Sequence, residues 1–157
     1  MRIQTSNGRT FQIDEDDLPL VQQYRWRGWK IHKTVYIATE LVGGKRLYLH
    51  RLLMNPQDGL EVDHINGDAR DNRRSNLRVC THSQNVSNQR TQKRGKYSRY
   101  KGVTKFPRNT KRPWIAQAKV MGKHIFLGYY KTQIEAARAY NKAAPRLFGE
   151  FARLNKI

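Results

Sequence analysis

Residues 61–90 constrain the fold of this chain more than any other part, because they combine two short strands, a tight turn and a helix start in one run. The segment 62–65 has the apolar and β-branched character of a strand, and an Asn-Gly turn follows it. The returning strand is predicted at 76–80. The next four residues form a capping-box pattern, Thr-His-Ser-Gln, which predicts a helix that carries Asn85.

The polar residues of this segment favour a hydrolytic site. Asp63 and His64 stand together, Asn76 follows twelve residues after the histidine, and Asn85 follows nine residues later. Two oxygen-bearing side chains and one imidazole can hold one hard cation beside one base. That is the minimum needed to hydrolyse a phosphodiester with a single metal ion.

The charge of the chain indicates a polyanionic partner. The formal net charge is +19, and no Asp or Glu occurs between Asn72 and Ile134, whereas sixteen Lys or Arg do. Nucleic acid is the favoured partner, and an anionic membrane surface is the alternative. The membrane is disfavoured because the sequence has no long apolar run and no signal peptide. The lone Cys80 excludes an internal disulfide and fits a reducing cytoplasm.

The flanking sequence predicts an α+β fold in two parts. Before the site, an Asn-Gly hairpin is predicted around residues 6–8, an acidic helix-capping turn at 14–19, a small sheet from about residue 26, and a strand that turns into a helix at 46–53. After it, three strands at 103–106, 114–120 and 124–129 precede a helix that begins with a Thr132/Glu135 capping box and ends at Pro145 and Gly149. This order predicts a C-terminal three-stranded antiparallel sheet packed on one helix. The predicted domains are 1–90, a basic linker at 91–99, and 100–157.

The site segment resembles the HNH endonuclease family of phage and intron homing enzymes. The resemblance rests on L-H-R-L-L at 49–53, D-H-I-N-G at 63–67, D-N-R-x-S-N-L-R at 71–78 and the closing Q-N. It implies a ββα-metal unit in which Asp63 and Asn85 are metal ligands, His64 is the general base and Asn76 ties the loop. The last ligand is Asn rather than His, as in one branch of the family.

The same resemblance implies a cofactor, a substrate and a setting. Hard oxygen ligands suit Mg²⁺ or Mn²⁺, and the substrate would be double-stranded DNA. One site per chain predicts strand nicking by a monomer or weak dimer, in the cytoplasm of a bacterial host if the gene is carried by a phage. Several side chains near the site have roles that stay open: Arg73, Arg74 and Arg78 are candidates for phosphate contacts, whereas His50 and His82 are candidates for supporting or DNA-contacting roles.

The C-terminal part resembles the plant APETALA2/ethylene-response-factor DNA-binding domain. The matching residues are Y-K-G-V at 100–103, F-L-G-Y-Y at 126–130, E-A-A-R-A-Y at 135–140 and L-F-G-E-F-A at 147–152. In that family the sheet lies in the major groove, so alternation along the second strand would direct Ile115, Gln117 and Lys119 to DNA and Ala116 and Ala118 to the helix. The other candidate DNA contacts, in the linker and in this part, are Lys93, Arg94, Lys101, Lys105, Arg108, Arg112, His124 and Phe126.

Two other functions fit parts of the sequence. A non-enzymatic DNA-binding regulator would use the C-terminal sheet and keep the ββα unit only as structure, although the intact Asp63, His64 and Asn85 count against it. An RNA-binding protein of ribosomal type would fit the charge but not the spaced site. The C-terminal part could also be a basic module that binds phosphates without reading bases.

Overall fold

A computed structural model of the chain describes residues 1–89, 98–106, 108 and 111–157. The fold is α+β, and the chain divides into two compact units, residues 1–82 and 83–157. Most of the predicted linker lies outside the described residues, so the predicted division at 91–99 stays a prediction. Within the described ranges, none of the helices has the length and hydropathy that a membrane span requires.

The first unit, which is described throughout, contains three small antiparallel sheets. Their strands are β1 (Arg2–Gln4) with β2 (Thr10–Gln12), then β3 (Arg27–Ile31), β4 (Thr34–Glu40) and β5 (Arg46–Tyr48), and finally β6 (Glu61–His64) with β7 (Leu77–Cys80). Two short helices, α1 (Leu18–Val21) and α2 (Leu49–Met54), lie between them. The predicted hairpin at residues 6–8, the strand-to-helix change at 46–53 and the two strands of the site segment are confirmed.

One apolar core joins the start of the first unit to the β6–β7 hairpin. Phe11 and Ile13 from the N-terminal strand region pack in the same cluster as Val62 and Leu77 of the hairpin, and each is at most 6% exposed. Trp26 belongs to this cluster and donates its indole N–H to the Val21 carbonyl oxygen at 2.8 Å. The N-terminal residues therefore complete the core beneath the hairpin.

The acidic turn at 14–19 forms, but its carboxylates do not cap a helix as predicted. Residues 15–17 form a 3₁₀ turn followed by α1, and neither N-cap residue, Asp14 or Asp17, makes a side-chain capping hydrogen bond. Both carboxylates bind Arg74 instead: Asp14 accepts from its backbone N–H at 2.7 Å, and Asp17 from its guanidinium at 2.7 Å. Arg74 lies sixty residues from Asp14 in the sequence, so the local sequence pattern could not reveal this contact.

The second unit contains a helix, a sheet and a longer helix. These are α3 (His82–Asn88, whose first residue ends the first unit), β8 (Val103–Lys105), β9 (Trp114–Val120), β10 (Lys123–Tyr130) and α4 (Gln133–Phe148). The sheet is antiparallel with strand order β10-β9-β8. Ala116 and Ala118 of β9 are buried in the clusters that contain Ala136, Ala137 and Tyr140 of α4, as the alternation predicted.

The ends of α4 agree with the sequence at one end and differ at the other. The Thr132/Glu135 capping box is present, with both reciprocal hydrogen bonds. Pro145, which was predicted to mark the helix end, lies inside the helix, and the helix continues to Phe148 before Gly149 caps it. Proline lacks the N–H for the helical hydrogen bond and its ring crowds the carbonyl one turn earlier, and packing of Leu147 and Phe148 on the core offsets this cost in the last turn.

Candidate functional site

Asp63 and His64 stand at the end of β6, where the β6–β7 hairpin opens into its loop. Asp63 lies opposite Arg78 in the register, and His64 lies opposite Leu77. Both side chains are buried, with 5% and 7% of their surface exposed. Buried polar side chains need partners, so the site is best understood from what holds each of them.

Asn72 orients the imidazole of His64. The Asn72 side chain is fully buried, its amide oxygen lies 3.3 Å from His64 Nε2, and its amide N–H₂ donates to the Ala69 carbonyl. An amide oxygen only accepts, so this contact places the imidazole proton on Nε2 and leaves Nδ1 as the basic nitrogen. Sequence reasoning missed Asn72; its position beside Asp71 in the D-N-R motif was the available signal.

Burial keeps His64 and its neighbour His50 uncharged at neutral pH. Desolvation lowers the pKa of His64, and the hydrogen bond with Asn72 opposes this shift only in part. The pKa of His50 falls to about 3, mainly through burial and then through the proximity of His64. The two rings meet edge to face with centroids 5.1 Å apart, and Tyr36 and Tyr48 lie on the other sides of His50.

Asn76 fastens the loop between the two strands. Its amide oxygen accepts from the Asn66 backbone N–H at 3.0 Å, and its amide N–H₂ donates to the Asp71 carbonyl at 2.7 Å. The Asn66 side chain in turn donates to the Asp71 carboxylate at 2.9 Å. This geometry suits the loop-tying role that the resemblance implies.

The N-terminal part of the chain braces the same loop from outside. Gln12 of β2 donates its backbone N–H to the Arg70 carbonyl and accepts from the Asn72 N–H, both at 2.8 Å. The ion pair between Asp17 and Arg74 fixes the far end of the loop. Gln12, Asp14 and Asp17 therefore help to hold the loop that positions His64.

Arg78 binds the carboxylate of Asp63. Its Nε and Nη2 donate to Asp63 Oδ2 at 3.0 and 2.8 Å, and the two side chains are 11% and 6% exposed. This ion pair is shielded from water, whereas the pair between Arg70 and Asp68 in the same loop is 53% and 46% exposed. A shielded carboxylate depends on its countercharge far more than an exposed one does.

We expect Arg78→Met to lower the free energy of unfolding by about 3 kcal/mol, because it leaves a buried carboxylate without its countercharge. The matched control is Arg70→Met, which removes an exposed pair and should cost less than about 1 kcal/mol. Denaturant titration of both variants measures the difference. Equal losses would show that the Asp63–Arg78 pair contributes no more than a surface pair.

Three other basic residues that were predicted to contact nucleic acid have partners within the protein. Arg73 binds Asp71 at 2.7 Å and Arg74 binds Asp17 at 2.7 Å, although both guanidinium groups remain about half exposed. The ammonium of Lys101 contacts the Val86, Ser87 and Gln89 carbonyls at the end of α3, and burial lowers its pKa to about 8. Contact of these residues with DNA stays a prediction.

The remaining candidates divide between the two units. His82 Nδ1 lies 2.8 Å from a carboxylate oxygen of Glu61, at the start of β6. Asn85 lies in α3, in the second unit, and its assignment as a ligand stays a prediction. No three His, Cys, Asp or Glu side chains in the described part of the chain form a group that could hold a metal ion.

Cys80 is buried with its pKa raised to about 11, which fits a packing role.

Most of the predicted DNA-contacting residues of the linker and the C-terminal part that the structure describes are exposed. Gln117 is half-buried, Lys93 and Arg94 lie outside the described residues, and the exposed candidates are Lys105, Arg108, Arg112, Lys119, His124 and Phe126.

Comparison with known proteins identifies one matching family model and two similar proteins. Residues 55–87 match a family model described as HNH endonuclease. The chain is 32% identical over 152 residues to an uncharacterized HNH endonuclease of Acanthamoeba polyphaga mimivirus, an alignment that covers 92% of this chain and 74% of the viral protein. A 75-residue alignment is 42% identical to an AP2-like ethylene-responsive transcription factor of Arabidopsis thaliana and covers 48% of this chain but 15% of the plant protein. No solved structure matches the chain significantly.

Proposed function

Because the chain belongs to the HNH endonuclease family, we propose that it cleaves DNA by metal-dependent hydrolysis, with His64 as general base and Asp63 as a metal ligand. The observation that carries this proposal is the placement of Asp63 and His64 as consecutive buried residues at the end of β6, next to a loop that Asn72 and Asn76 hold in place. The chain is therefore a nuclease whose base is fixed before substrate arrives.

The donor set fits a hard divalent ion. Asp63 supplies a shielded carboxylate, and the resemblance adds the amide oxygen of Asn85 as a second ligand. Oxygen donors suit Mg²⁺ or Mn²⁺, which retain water and accept phosphate oxygens as further ligands. When bound, the ion would polarise the phosphate and stabilise the leaving oxygen. The neighbouring charge of Arg78 reduces the attraction of Asp63 for a cation, so binding should be weak until the DNA phosphate contributes.

His64 has the properties that a general base needs. Its lowered pKa keeps the ring neutral at neutral pH, and the contact with Asn72 leaves Nδ1 as the nitrogen that accepts a proton. The proton would come from the water that attacks the phosphate. Asn72 and Asn76 act as positioning residues, because they bind the ring and the loop.

The second unit would position the enzyme on DNA. The plant relative is named as a transcription factor, and the C-terminal sheet exposes basic side chains on the face opposite α4. We assign the ββα-metal unit to about residues 60–90 and the APETALA2-like unit to 100–157. One site per chain favours nicking of one strand by a monomer or weak dimer. The mimivirus relative supports a viral or mobile-element origin.

The rival function is a DNA-binding regulator without enzymatic activity, which the similarity to the plant transcription factor favours. A plasmid assay separates the two. We expect the purified chain to convert supercoiled plasmid to the open circular form in Mg²⁺ or Mn²⁺, to stop when EDTA is added, and to resume when the metal is restored in excess. Binding of the plasmid without cleavage under all metal conditions would favour the regulator.

A further inference from the structure

The outer face of the C-terminal sheet, defined as the side opposite α4, pairs polar with aromatic side chains. Its residues on β9 and β10 face each other in the register as Lys119 with His124, Gln117 with Phe126, and Ile115 with Tyr129. The alternate residues of β9, Ala116 and Ala118, are buried against α4. The outer face is therefore the side of the sheet that remains available to a partner.

Apolar rings are exposed on this face. Phe126 is 58% exposed and Tyr129 is 38% exposed. The Tyr129 ring packs against Phe126, with centroids 5.0 Å apart, and against Phe106, with centroids 5.9 Å apart. A cluster of exposed rings on a basic sheet indicates a contact surface, because water disfavours such a cluster unless a partner covers it.

A β-bulge brings the two rings together. Residues three apart on a regular strand face opposite sides, so Phe126 and Tyr129 could not share a face without an extra residue. The register shifts between Phe126 and Gly128, and Leu127 packs into the core. Gly128 has φ +129°, a conformation that L side chains rarely adopt. The chain thus departs from a regular strand at the position that builds the cluster.

Charge and the exposed ring favour duplex DNA as the partner. Lys119 and His124 extend the face, and the sequence from Asn72 to Ile134 contains no acidic residue, which favours phosphate. The exposed Phe126 ring offers an apolar contact, and the methyl group of thymine in the major groove is an apolar group that such a ring can contact.

We propose that Gln117 and Phe126 read an A·T base pair in the major groove, with Gln117 on adenine N6 and N7 and Phe126 on the thymine methyl group. The two are directly opposed across β9 and β10, so their side chains start about 5 Å apart and can reach one base pair. None of the six outer-face residues on β9 and β10 is Arg, the side chain that best reads guanine. This inference rests on the proposed function, because it takes duplex DNA as the ligand of the second unit.

Base analogues test the two contacts separately. The chain of residues 1–157 is kept in EDTA. Its affinity is measured by fluorescence anisotropy for a duplex of A·T pairs, for the same duplex with deoxyuridine replacing thymidine, and for the same duplex with 7-deazaadenine replacing adenine. Deoxyuridine lacks only the methyl group, and 7-deazaadenine lacks only the N7 acceptor. We expect affinity to fall about fourfold when the methyl group is absent and about tenfold when the N7 acceptor is absent.

Variants assign each decrease in affinity to its residue. Phe126→Ala should bind the thymidine and deoxyuridine duplexes equally, and Gln117→Ala should bind the adenine and 7-deazaadenine duplexes equally. Met121→Ala is the control, because Met121 is 87% exposed at the β9–β10 turn and lies off the outer face. This variant should keep the wild-type ratio of affinities for both pairs of duplexes.

Equal wild-type affinity for all duplexes, or unchanged affinity ratios in the two variants, overturns the inference while duplex binding still supports the proposed function. Preference for single strands overturns it in favour of base stacking, and absence of any DNA binding overturns both.

Discussion

His64→Ala is expected to lower the nicking rate by at least about a hundredfold, and by up to about ten-thousandfold, because general-base catalysis contributes on that order. The variant should still bind DNA, since the phosphate contacts of the chain do not depend on this imidazole. The measurement is the rate of supercoiled plasmid relaxation in Mg²⁺, beside the affinity for the same DNA in EDTA. Thermal unfolding checks that the variant is folded.

The control for this prediction is His32→Asn. His32 is exposed in the turn between β3 and β4, with φ 51°, a backbone conformation that Asn tolerates. This variant should nick at the wild-type rate. If His64→Ala nicks as fast as His32→Asn does, His64 is not the base.

The pH dependence of nicking follows from the same residue. A general base must be neutral, so the rate falls as pH drops through the pKa of His64. Burial lowers that pKa below 6.5, so we expect the rate to hold at pH 6.5 and to fall only in more acidic solution. A rate profile from about pH 5 to 8 tests this, and a half-maximal rate above pH 7 would contradict it.

Gly102→Ala is expected to destabilise the second unit by about 3 to 5 kcal/mol, a large part of the stability of an ordinary domain. A methyl group at this position would lie 2.1 Å from Tyr140 Cδ2 and 2.5 Å from the Gln117 carbonyl oxygen. Tyr140 is 1% exposed in the core and cannot move aside easily, and the φ of +71° adds backbone strain for alanine. Denaturant unfolding measures the decrease in stability, and hydrogen exchange measures it for the second unit by itself.

Gly122→Ala separates the clash from the backbone strain. Gly122 has a similar φ of +80°, but a methyl group there would meet nothing within 4 Å. Its substitution should cost about 1 kcal/mol, which is the strain alone. Equal effects of the two substitutions would mean that the sheet and α4 are not packed as closely as the structure shows.

Local sequence pattern was sufficient where local physics decides the structure. The Asn-Gly hairpin near residue 7, the two strands of the site segment and the Thr132/Glu135 capping box are each set by a few adjacent residues, and the structure confirms them. The predicted alternation of side chains between the two faces of β9 is also confirmed, because Ala116 and Ala118 are the small residues that a closely packed helix requires.

Long-range pairing could not be predicted in the same way. The sequence shows Arg74 as one basic residue among many, and only the fold brings it to Asp17. Arg78 was predicted to contact phosphate, yet the register of β6 and β7 places it on Asp63. The hydrogen bond between Asn72 and His64 likewise depends on the path of the loop, which spacing alone does not determine.

The most direct test of the account is the position of a metal ion in crystals. His64→Ala protein would be crystallised with duplex DNA and Mn²⁺, and the ion would be located by its anomalous scattering. If Asp63 is a metal ligand, one peak is expected within about 2.2 Å of its carboxylate oxygen and in contact with a phosphate oxygen of the DNA. A bound duplex with no Mn²⁺ at Asp63, or with the ion held only by residues outside the β6–β7 hairpin and α3, would contradict it.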